Sequence, residues 1–383
     1  MKRNNEEIYT EYQGEFVQDT NGIENKNNKK KKGAGRIIFR ILLAIIGLIV
    51  GCALYFFYTF GGTYVSVDVM SEKDYNTLDL SEDDSTTGGD VTSSWADGGH
   101  TPLYYNKKHP IIKVDQKDPN IENILVFGVD ARSVKDYKGR SDSMIVVSIN
   151  KKTKSIKLIS LMRDSGVYIG DTKDTAKKKL DKLNHAYHYG GVGLMINTIN
   201  RNFDLDIQRF VMLDFGSAAD VVDLVGGIEI DVSADEVKYA NHFIEEDNKL
   251  NGSDSPLLTH SGKQMLDGIQ AVSWARIRYL DSDFVRTSRQ RTIANALMKK
   301  VSSMNYFKKI QLLNASAGLF ETNMQTMDLM RVGMSAIGFT DNIDEYRVPA
   351  DGLYKVQSNP WMMIIDYDKQ NKLLKDYIQG ATK

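Results

Sequence analysis

The stretches ILVFGV at residues 124–129 and SMIVVSI at residues 143–149 decide the fold class of this 383-residue chain. Both are short, apolar and rich in β-branched residues, which is typical of buried strands. Residues 155–162 alternate between apolar and polar side chains and predict a third strand. Further strand patterns at 207–215 and 227–232 alternate with helical patterns. The sequence therefore predicts an α/β fold whose central sheet is covered on both faces.

Helical spacing of apolar residues marks several segments between and after these strands. The patterns predict helices over residues 192–203, 217–224, 284–301 and 327–337. Ser217 is the expected N-cap of the second of these helices. Ser261 is the expected N-cap of a further helix through residues 265–272.

Composition excludes several classes of protein. The chain is 42% hydrophobic and 26% charged and has one cysteine, so it is not collagen-like, a disulfide scaffold or wholly disordered. Lysine plus arginine total 49 and aspartate plus glutamate total 50, so a globally basic nucleic-acid binder is disfavoured and we expect no nucleic-acid partner. The balance averages unlike parts, because residues 25–40 contain only basic charges and residues 71–100 are strongly acidic.

Residues 41–60, ILLAIIGLIVGCALYFFYTF, carry no charge and are long enough to span a bilayer. Lysines and arginines precede this run and Asp68 is the first charge after it, so the N-terminus is expected in the cytoplasm. The alternatives are a cleaved signal peptide, for which the run is too long and too far from the N-terminus, and a buried globular helix, which seldom stays uncharged for so long. We therefore expect a single-pass protein of the cell membrane.

The same features predict four parts of the chain. Residues 1–36 read as a disordered cytoplasmic tail, 37–60 as the transmembrane helix, 61–119 as an extracellular stalk or accessory segment, and 120–383 as one large extracellular domain. The only cysteine, Cys52, lies in the membrane segment, so the outer part has no disulfide and depends on its core.

Standard catalytic signatures are absent from the sequence. It contains no Walker A loop, G-x-S-x-G elbow, H-E-x-x-H motif or Rossmann G-x-G-x-x-G motif. His185 and His188 have a spacing that can bind a metal, but no third ligand is nearby in the sequence. Ordinary hydrogen bonding or packing is the better interpretation of this pair.

Arginines and aspartates follow or precede the predicted strands. Asp130 and Arg132 follow the first strand, Arg140 and Asp142 precede the second, and Arg163 follows the third. Ligands of α/β sheets bind beyond the carboxyl ends of strands, so Asp130 and Arg163 are expected in one site. Asp142 would join them if a loop folds back.

A denser group of charges lies at residues 276–291, where five arginines occur in sixteen residues. On a helix beginning near Phe284, the side chains of Arg286, Arg289 and Gln290 would share one face. The alternative is a solvated basic helix whose arginines pair with neighbouring aspartates.

Arginine and aspartate together favour a particular chemistry. Guanidinium groups match phosphate oxygens with two parallel hydrogen bonds. Carboxylates beside them would repel a phosphate unless a cation intervenes, and Mg²⁺ binds one or two carboxylates together with phosphate oxygens. The pattern therefore predicts a metal–pyrophosphate site, suited to phosphoryl transfer because that reaction needs positioning and charge neutralisation.

Five stretches carry a family resemblance: NILVFGVDAR, GRSDSMIVVSINKKTKSIKLISLMRDSGVYI, KLNHAYHYGG, MLDFGSAADVVDLVGGIEIDV and LDGIQAVSWARIRYLDSDFVRTSRQR. In this order they resemble the LytR-CpsA-Psr family of cell-wall enzymes, over about residues 121–301 and onward to the C-terminus. The resemblance implies an α-β-α sandwich with a central mixed sheet and an apolar pocket for a prenyl tail. It implies a Gram-positive transferase that moves an anionic glycopolymer, a wall teichoic acid or a capsular polysaccharide, from a polyprenyl pyrophosphate carrier to a peptidoglycan hydroxyl.

The resemblance also assigns roles to residues. It implies Mg²⁺ or Mn²⁺ at Asp130 and Asp142, and a general base at Asp283. The arginines implied to hold the pyrophosphate are Arg163, Arg278 and Arg286, and the residues implied to bind substrate around them are Arg132, Arg140, Arg276, Arg289 and Gln290.

Two departures from the family pattern leave these charged groups in place: Ser143 stands where threonine is common, and Trp274 where an aliphatic residue or tyrosine is commoner. Two other functions stay open. One is a polyprenyl-pyrophosphate hydrolase with water as acceptor. The other is a non-catalytic sensor or regulator of the envelope that binds a phospholipid.

Overall fold

The structure is a computed structural model that describes residues 63–76, 103–130, 139–170, 179–277, 283–339 and 342–380, together with Gly47, Tyr55 and Leu280. The chain divides into two units, residues 1–56 and 57–383. The expected cytoplasmic tail and, apart from Gly47 and Tyr55, the expected membrane helix lie outside the described residues. Within the described ranges, no helix has the length and apolar character needed to cross a membrane.

The elements whose bounds are described lie in the second unit. Its strands are β1 (Val69–Met70), β2 (Ile111–Ile112), β3 (Ile121–Asp130), β4 (Arg140–Asn150), β5 (Ser155–Leu161), β6 (Ser165–Ile169), β7 (Lys179–Lys182), β8 (Arg209–Leu213), β9 (Ile228–Val232), β10 (Gly262–Leu266), β11 (Glu321–Thr322), β12 (Ile343–Val348), β13 (Tyr354–Ser358) and β14 (Trp361–Ile365). Its helices are α1 (Glu72–Tyr75), α2 (His185–Phe203), α3 (Phe215–Leu224), α4 (Ala234–Asn251), α5 (Gly268–Ala275), α6 (Asp283–Ser303), α7 (Tyr306–Ala315), α8 (Thr326–Gly338) and α9 (Tyr367–Gln379).

The central sheet has six strands in the order β11-β8-β3-β4-β5-β12. Strand β4 runs antiparallel to both of its neighbours, β3 and β5, whereas β8 is parallel to β3 and β12 is parallel to β5. The predicted α/β fold with a mixed central sheet is therefore confirmed. Most of the remaining strands form a four-stranded sheet, β13-β14-β6-β7, and the antiparallel pair β9-β10.

One face of the central sheet packs into a dense core against α2. Phe127, Val146 and Phe210 of the sheet and Tyr187 of α2 are at most 1% exposed. Their aromatic rings contact one another, with the Phe127 and Tyr187 centroids 5.5 Å apart. Burial of this apolar surface stabilises the fold.

Residues 103–112 form a strap that crosses α2 and belongs to the same core. The backbone N–H of Tyr104 donates to the Tyr187 hydroxyl at 2.8 Å, and that of Ile112 donates to Asn197 Oδ1 at 2.9 Å. Gly193 of α2 permits the crossing, because a Cβ there would lie 1.7 Å from the carbonyl oxygen of His109. The described parts of the expected stalk or accessory segment thus pack with the sheet.

Two expected helix caps are wrong, and both have a local reason. Asp214 caps α3, while Ser217 is the third helical residue, whose hydroxyl accepts from the N–H of Asp214 in a capping box. The helix expected from Ser261 is instead strand β10, paired with β9, followed by α5. The cap of α5 is Asp267, whose carboxylate accepts from the N–H of Gln270.

The expected helices at 284–301 and 327–337 are confirmed as α6 and α8 within two residues at each end. The helix expected at 192–203 is the second part of α2, which is interrupted by non-helical backbone at Gly190 and Gly191. Gly191 has a φ of 70° and receives the carbonyl of Tyr104 closely, so a side chain would be excluded there.

Candidate active site

The second face of the central sheet borders an apolar cavity of about 530 Å³. Helices α3, α5, α6, α7 and α8 enclose it from the other side. Most of the lining is apolar and includes Val126, Ile145, Val147, Leu158, Leu213, Val225, Val272, Ile293, Leu297, Met298, Val301, Leu312 and Leu313. A cavity of this size and character accepts an apolar chain rather than a polar ligand.

The alternation of side chains along each strand produces both faces. On β3, Leu125 packs into the dense core while its neighbour Val126 lines the cavity. On β4, Val146 and Val147 divide in the same way. Because successive side chains of a strand point to opposite faces, one apolar run fills a core and lines a pocket at once.

A charged cluster lies at one end of this cavity. Asp142 accepts a hydrogen bond from Arg163 Nη1 at 2.9 Å, and its second oxygen lies 3.6 Å from Arg286 Nη1. Asp142, Arg286 and Gln290 all line the cavity. Arg286 is only 2% exposed, so its charge is held in a partly dehydrated setting where it acts more strongly on an anion than it would in water.

The position of Asp142 follows from strand pairing and needs no loop to fold back. Strands β3 and β4 are antiparallel, so the start of β4 lies beside the end of β3. The register shifts so that Gly128 pairs with Ser143 and Val129 with Ser141, which leaves Asp142 as the extra residue of a β-bulge. Bulges re-aim a side chain, and here Asp142 lines the cavity end.

Arg163 is held from its other side by a second buried carboxylate. Arg163 Nε donates to Asp164 Oδ2 at 3.3 Å, and the other Asp164 oxygen contacts Lys182 Nζ at 2.7 Å. Lys182 also lies 5.5 Å from the ring centroid of Trp361. These residues together with Asp142 and Arg286 contain three cations and two carboxylates, so the cluster has a positive excess suited to an anion.

Two further arginines of the expected site are engaged in other contacts. Arg276 lines the cavity, donates to Asp247 Oδ1 at 2.6 Å and lies about 5 Å from the rings of Phe215 and Phe243. Its guanidinium is therefore held against α4 at the edge of the cavity. It remains an expected substrate-binding residue.

Arg289 does not line the cavity, unlike Arg286 and Gln290. It is 3% exposed, and its Nε donates to Glu236 Oε1 at 2.7 Å. Burial acts to raise the pKa of Glu236, but hydrogen bonds from the Ser233 backbone and the Arg289 side chain lower it below the usual value. This ion pair ties α6 to α4.

The remaining expected residues are placed only in part. Arg132 and Arg278 lie outside the described residues. For Asp130 and Asp283 the structure gives only the backbone positions, as the last residue of β3 and the first of α6. Arg140 is exposed at the start of β4 and pairs in register with Asp130.

Sequence reasoning missed two basic residues near the cluster. Lys182 supports Asp164, as described above, and stands in the KLNHAYHYGG stretch. Arg291 borders a small pocket with Asp142 and Gln290, where burial and the charge of Arg347 lower its pKa against the opposing effect of Glu345. Both were visible as basic residues, but only tertiary structure places them: Lys182 pairs with Gly166 of β6, and Arg291 of α6 borders the same small pocket as Asp142.

The histidine interpretation is confirmed for His185. Its Nδ1 lies 2.9 Å from Asp181 Oδ1, and the Tyr189 hydroxyl donates to the other oxygen of Asp181 at 2.7 Å. Within the described part of the chain, no group of three or more histidine, cysteine, aspartate or glutamate residues is arranged to hold a metal. The Asp130 side chain is not among the residues described.

The fold and the cavity define a class of protein: an α/β sandwich with an apolar cavity on one face of a mixed sheet and a cationic cluster at the cavity end. The family model of the LytR-CpsA-Psr family matches residues 92–378. The chain belongs to this family.

The chain is similar in sequence and in structure to known proteins. It is 31% identical over 264 residues to the polyisoprenyl-teichoic acid–peptidoglycan teichoic acid transferase TagV of Bacillus subtilis, an alignment that covers 67% of this chain and 64% of TagV. The crystal structure of B. subtilis TagV superposes with a TM-score of 0.53 at 28% identity, over 68% of this chain and 98% of that one.

A structure of YwtF (TagT) with bound octaprenyl pyrophosphate lipid has a TM-score of 0.50 at 22% identity, over 70% of this chain and 93% of that one. That likeness shows a shared fold.

Proposed function

We propose that this chain is a membrane-anchored transferase that moves an anionic glycopolymer from a polyprenyl pyrophosphate carrier to a peptidoglycan hydroxyl. The polymer is a wall teichoic acid or a capsular polysaccharide, and the catalytic domain lies outside the cell. One observation carries the proposal: an apolar cavity of about 530 Å³ ends at the cluster of Asp142, Arg163 and Arg286. A prenyl pyrophosphate needs both halves of such a site, because its tail is apolar and its head is a multiply charged anion.

The relatives support the same chemistry. TagV bears the name of a teichoic acid transferase, and YwtF (TagT) holds an octaprenyl pyrophosphate lipid. Independently of the relatives, the apolar cavity of this chain suits the tail of such a lipid, and its charged cluster suits the pyrophosphate.

We propose Mg²⁺ or Mn²⁺ as the cofactor, held by Asp142 and Asp130. The donor set fits, since Asp142 presents a carboxylate at the cavity end and Asp130 lies at the end of the neighbouring strand, close to the bulge. Mg²⁺ prefers such a site, in which one or two carboxylates are completed by phosphate oxygens and water. When bound, the ion would offset charge on the pyrophosphate and polarise the reacting phosphorus.

The chain's own residues supply the remaining steps. Arg163 and Arg286, now paired with Asp142, are positioned to turn their donors to the pyrophosphate oxygens and to stabilise the charge that develops in the transition state. The acceptor hydroxyl forms a new bond to the phosphorus attached to the sugar, and the bond to the lipid phosphate breaks. Asp283 is proposed to accept the hydroxyl proton, and polyprenyl phosphate leaves.

The test is a transfer assay with the full chain, a synthetic prenyl-pyrophosphate-linked glycan and a peptidoglycan acceptor. We expect Arg286→Ala and Arg278→Ala to reduce product by about 100-fold or more. Arg201→Ala is the matched control, because Arg201 lies on α2 and contacts Gly170 and Glu72. Chelation of divalent cations should stop the reaction, and added Mg²⁺ or Mn²⁺ should restore it.

Three outcomes would contradict the proposal. Wild-type transfer by both arginine variants would show that the assignment is wrong. Release of the glycan phosphate at the same rate with and without acceptor would indicate a hydrolase. Lipid binding that Asp130→Ala abolishes, with no product under any condition, would indicate a sensor.

A further inference from the structure

Helix α6 connects the charged cluster to the far end of the cavity. Its cavity-lining residues form one stripe at helical spacing: Arg286, Gln290, Ile293, Ala294, Leu297, Met298 and Val301. From Arg286 to Val301 the helix rises roughly 22 Å. A ligand with its anionic head at Arg286 would therefore extend its apolar tail toward the junction of α6 and α7.

The chain around this far end has an unusual charge pattern. Residues 292–320 contain four lysines and no aspartate or glutamate. Lys299 and Lys300 are in the last part of α6, and Lys308 and Lys309 are in the first turn of α7. The cavity and this basic segment are continuous, because Lys309 itself lines the cavity.

An exposed aromatic side chain lies among these lysines. Phe307 is 80% exposed, the largest exposure of the large hydrophobic residues that the structure describes. It is fixed in the first turn of α7, whose N-cap Asn305 accepts from the backbone N–H of Lys308 at 2.9 Å. An exposed phenylalanine costs solvation free energy in water and is stabilised at the interface of a bilayer.

We define the far-end surface as Lys299, Lys300, Phe307, Lys308 and Lys309. We infer that this surface docks onto the anionic headgroups of a lipid bilayer. Lysines beside an exposed aromatic residue match that surface in both charge and apolar character. The docked surface would place the tail end of the cavity against the lipid phase. This role in admitting the tail rests on the proposed function, whereas the docking itself does not.

Other surface lysines provide the contrast. Helix α9 lies against the opposite, densely packed face of the central sheet, through Leu374 and Ile378. Its exposed lysines, Lys369, Lys372 and Lys375, share the helix with Asp368 and Asp376. Mixed charge of this kind does not favour an anionic bilayer, so α9 provides the matched control.

The test measures the depth of an introduced tryptophan in a bilayer. The full chain with Phe307→Trp, and separately with Leu373→Trp on α9, is reconstituted with vesicles of phosphatidylglycerol that carries brominated acyl chains. Leu373 is 40% exposed and supplies the control site. Fluorescence is measured as the difference from the unsubstituted chain, because Trp95, Trp274 and Trp361 contribute a background. We expect bromine to quench the tryptophan introduced at position 307 severalfold more than the one at position 373.

Charge dependence completes the experiment. Adding Lys299→Gln and Lys308→Gln should remove most of the quenching at position 307, whereas Lys372→Gln and Lys375→Gln should leave it unchanged. Brominated phosphatidylcholine vesicles and high salt should weaken the quenching as well, since both reduce the electrostatic attraction.

Several results would overturn the inference. The first is equal quenching at positions 307 and 373, and the second is quenching that the Lys299 and Lys308 substitutions do not change. The third is a change in emission that depends on protein concentration and not on bromine, because it would indicate contact with a second copy of the chain. A chain that transfers polymer at the normal rate without this quenching would retain the proposed function and lose the docking surface.

Discussion

The two faces of the central sheet are built from the same strands but are completed differently. On one face, Val146 and its neighbours pack against α2 with almost no exposure. On the other face, Val147 and its neighbours border a cavity of about 530 Å³. The atoms around a void lose dispersion contacts that the filled face makes. The comparison teaches that one face stabilises the fold, while the other gives up some stability and leaves a cavity that fits the proposed lipid tail.

The sharpest way to test this division is Arg286→Lys at the cavity end. Lysine keeps the charge but loses the planar fork that holds two phosphate oxygens, so we expect kcat/KM for transfer to fall by about 100-fold. The free energy of unfolding of the same variant should be measured by denaturant titration. Transfer at the wild-type rate would mean that the cavity end does not bind the reacting anion.

The next largest effect is expected from a matched pair on β4. Val146→Ala should reduce the free energy of unfolding by about 2 kcal/mol, because it removes two methyl groups from the filled face. Val147→Ala should cost roughly half of that or less, since Val147 already borders a void. Chemical denaturation of both variants measures the difference. Equal losses would show that the two faces are packed alike.

A smaller effect on activity is expected from filling the cavity with Ala294→Phe. Ala294 lines the cavity together with Leu297 and Met298. A phenylalanine ring at this position should occupy space that the proposed prenyl tail would otherwise fill. We expect transfer from a long prenyl carrier to fall about tenfold, with unfolding free energy changed by less than about 1 kcal/mol. A strong loss of stability would instead indicate that this part of the cavity closes in solution.

The smallest expected effect concerns the Arg289–Glu236 pair behind the cavity. The pKa of Glu236 is lowered in the folded chain from 4.5, so its contribution to stability is present above that pH and is lost as the pH falls through the lower, folded value. Glu236→Gln should therefore flatten the decline of unfolding free energy between pH 5 and pH 3. Transfer at pH 7 should stay near wild type. A large loss of transfer would place this pair in the functional site.

Local patterns predicted the elements that depend on local forces. The apolar runs at 124–129 and 143–149 became β3 and β4, and the helical spacing at 284–301 became α6, because burial of these residues and their periodicity agree. Helix α4 was not predicted, although Ser233 and Glu236 form a capping box at its start that can be read in the sequence. Its polar composition obscured that signal.

Long-range pairing accounts for what the sequence did not reveal. Asp142 reaches the cavity end through the antiparallel register of β3 and β4 and its bulge, which no window of sequence displays. Likewise, β6 pairs with β14 almost two hundred residues later and brings Trp361 near Lys182. The five arginines at 276–291 were recognisable as a group, but only tertiary contacts separate Arg289, paired with Glu236, from Arg286 at the cavity end.

The strap across α2 has a consequence for how this family can diversify. Residues 63–70 and 103–112 are both fixed to the core, the former through the bond from Val65 N to the Thr322 carbonyl and the latter through Tyr187 and Asn197. The chain between Asn76 and Leu103 is therefore bounded by two anchored ends. Between two fixed ends, a flexible insertion costs about 0.6 kcal/mol of loop-closure entropy for each doubling of its length. We therefore expect that a module inserted between these two anchored ends changes the stability of the fold only slightly.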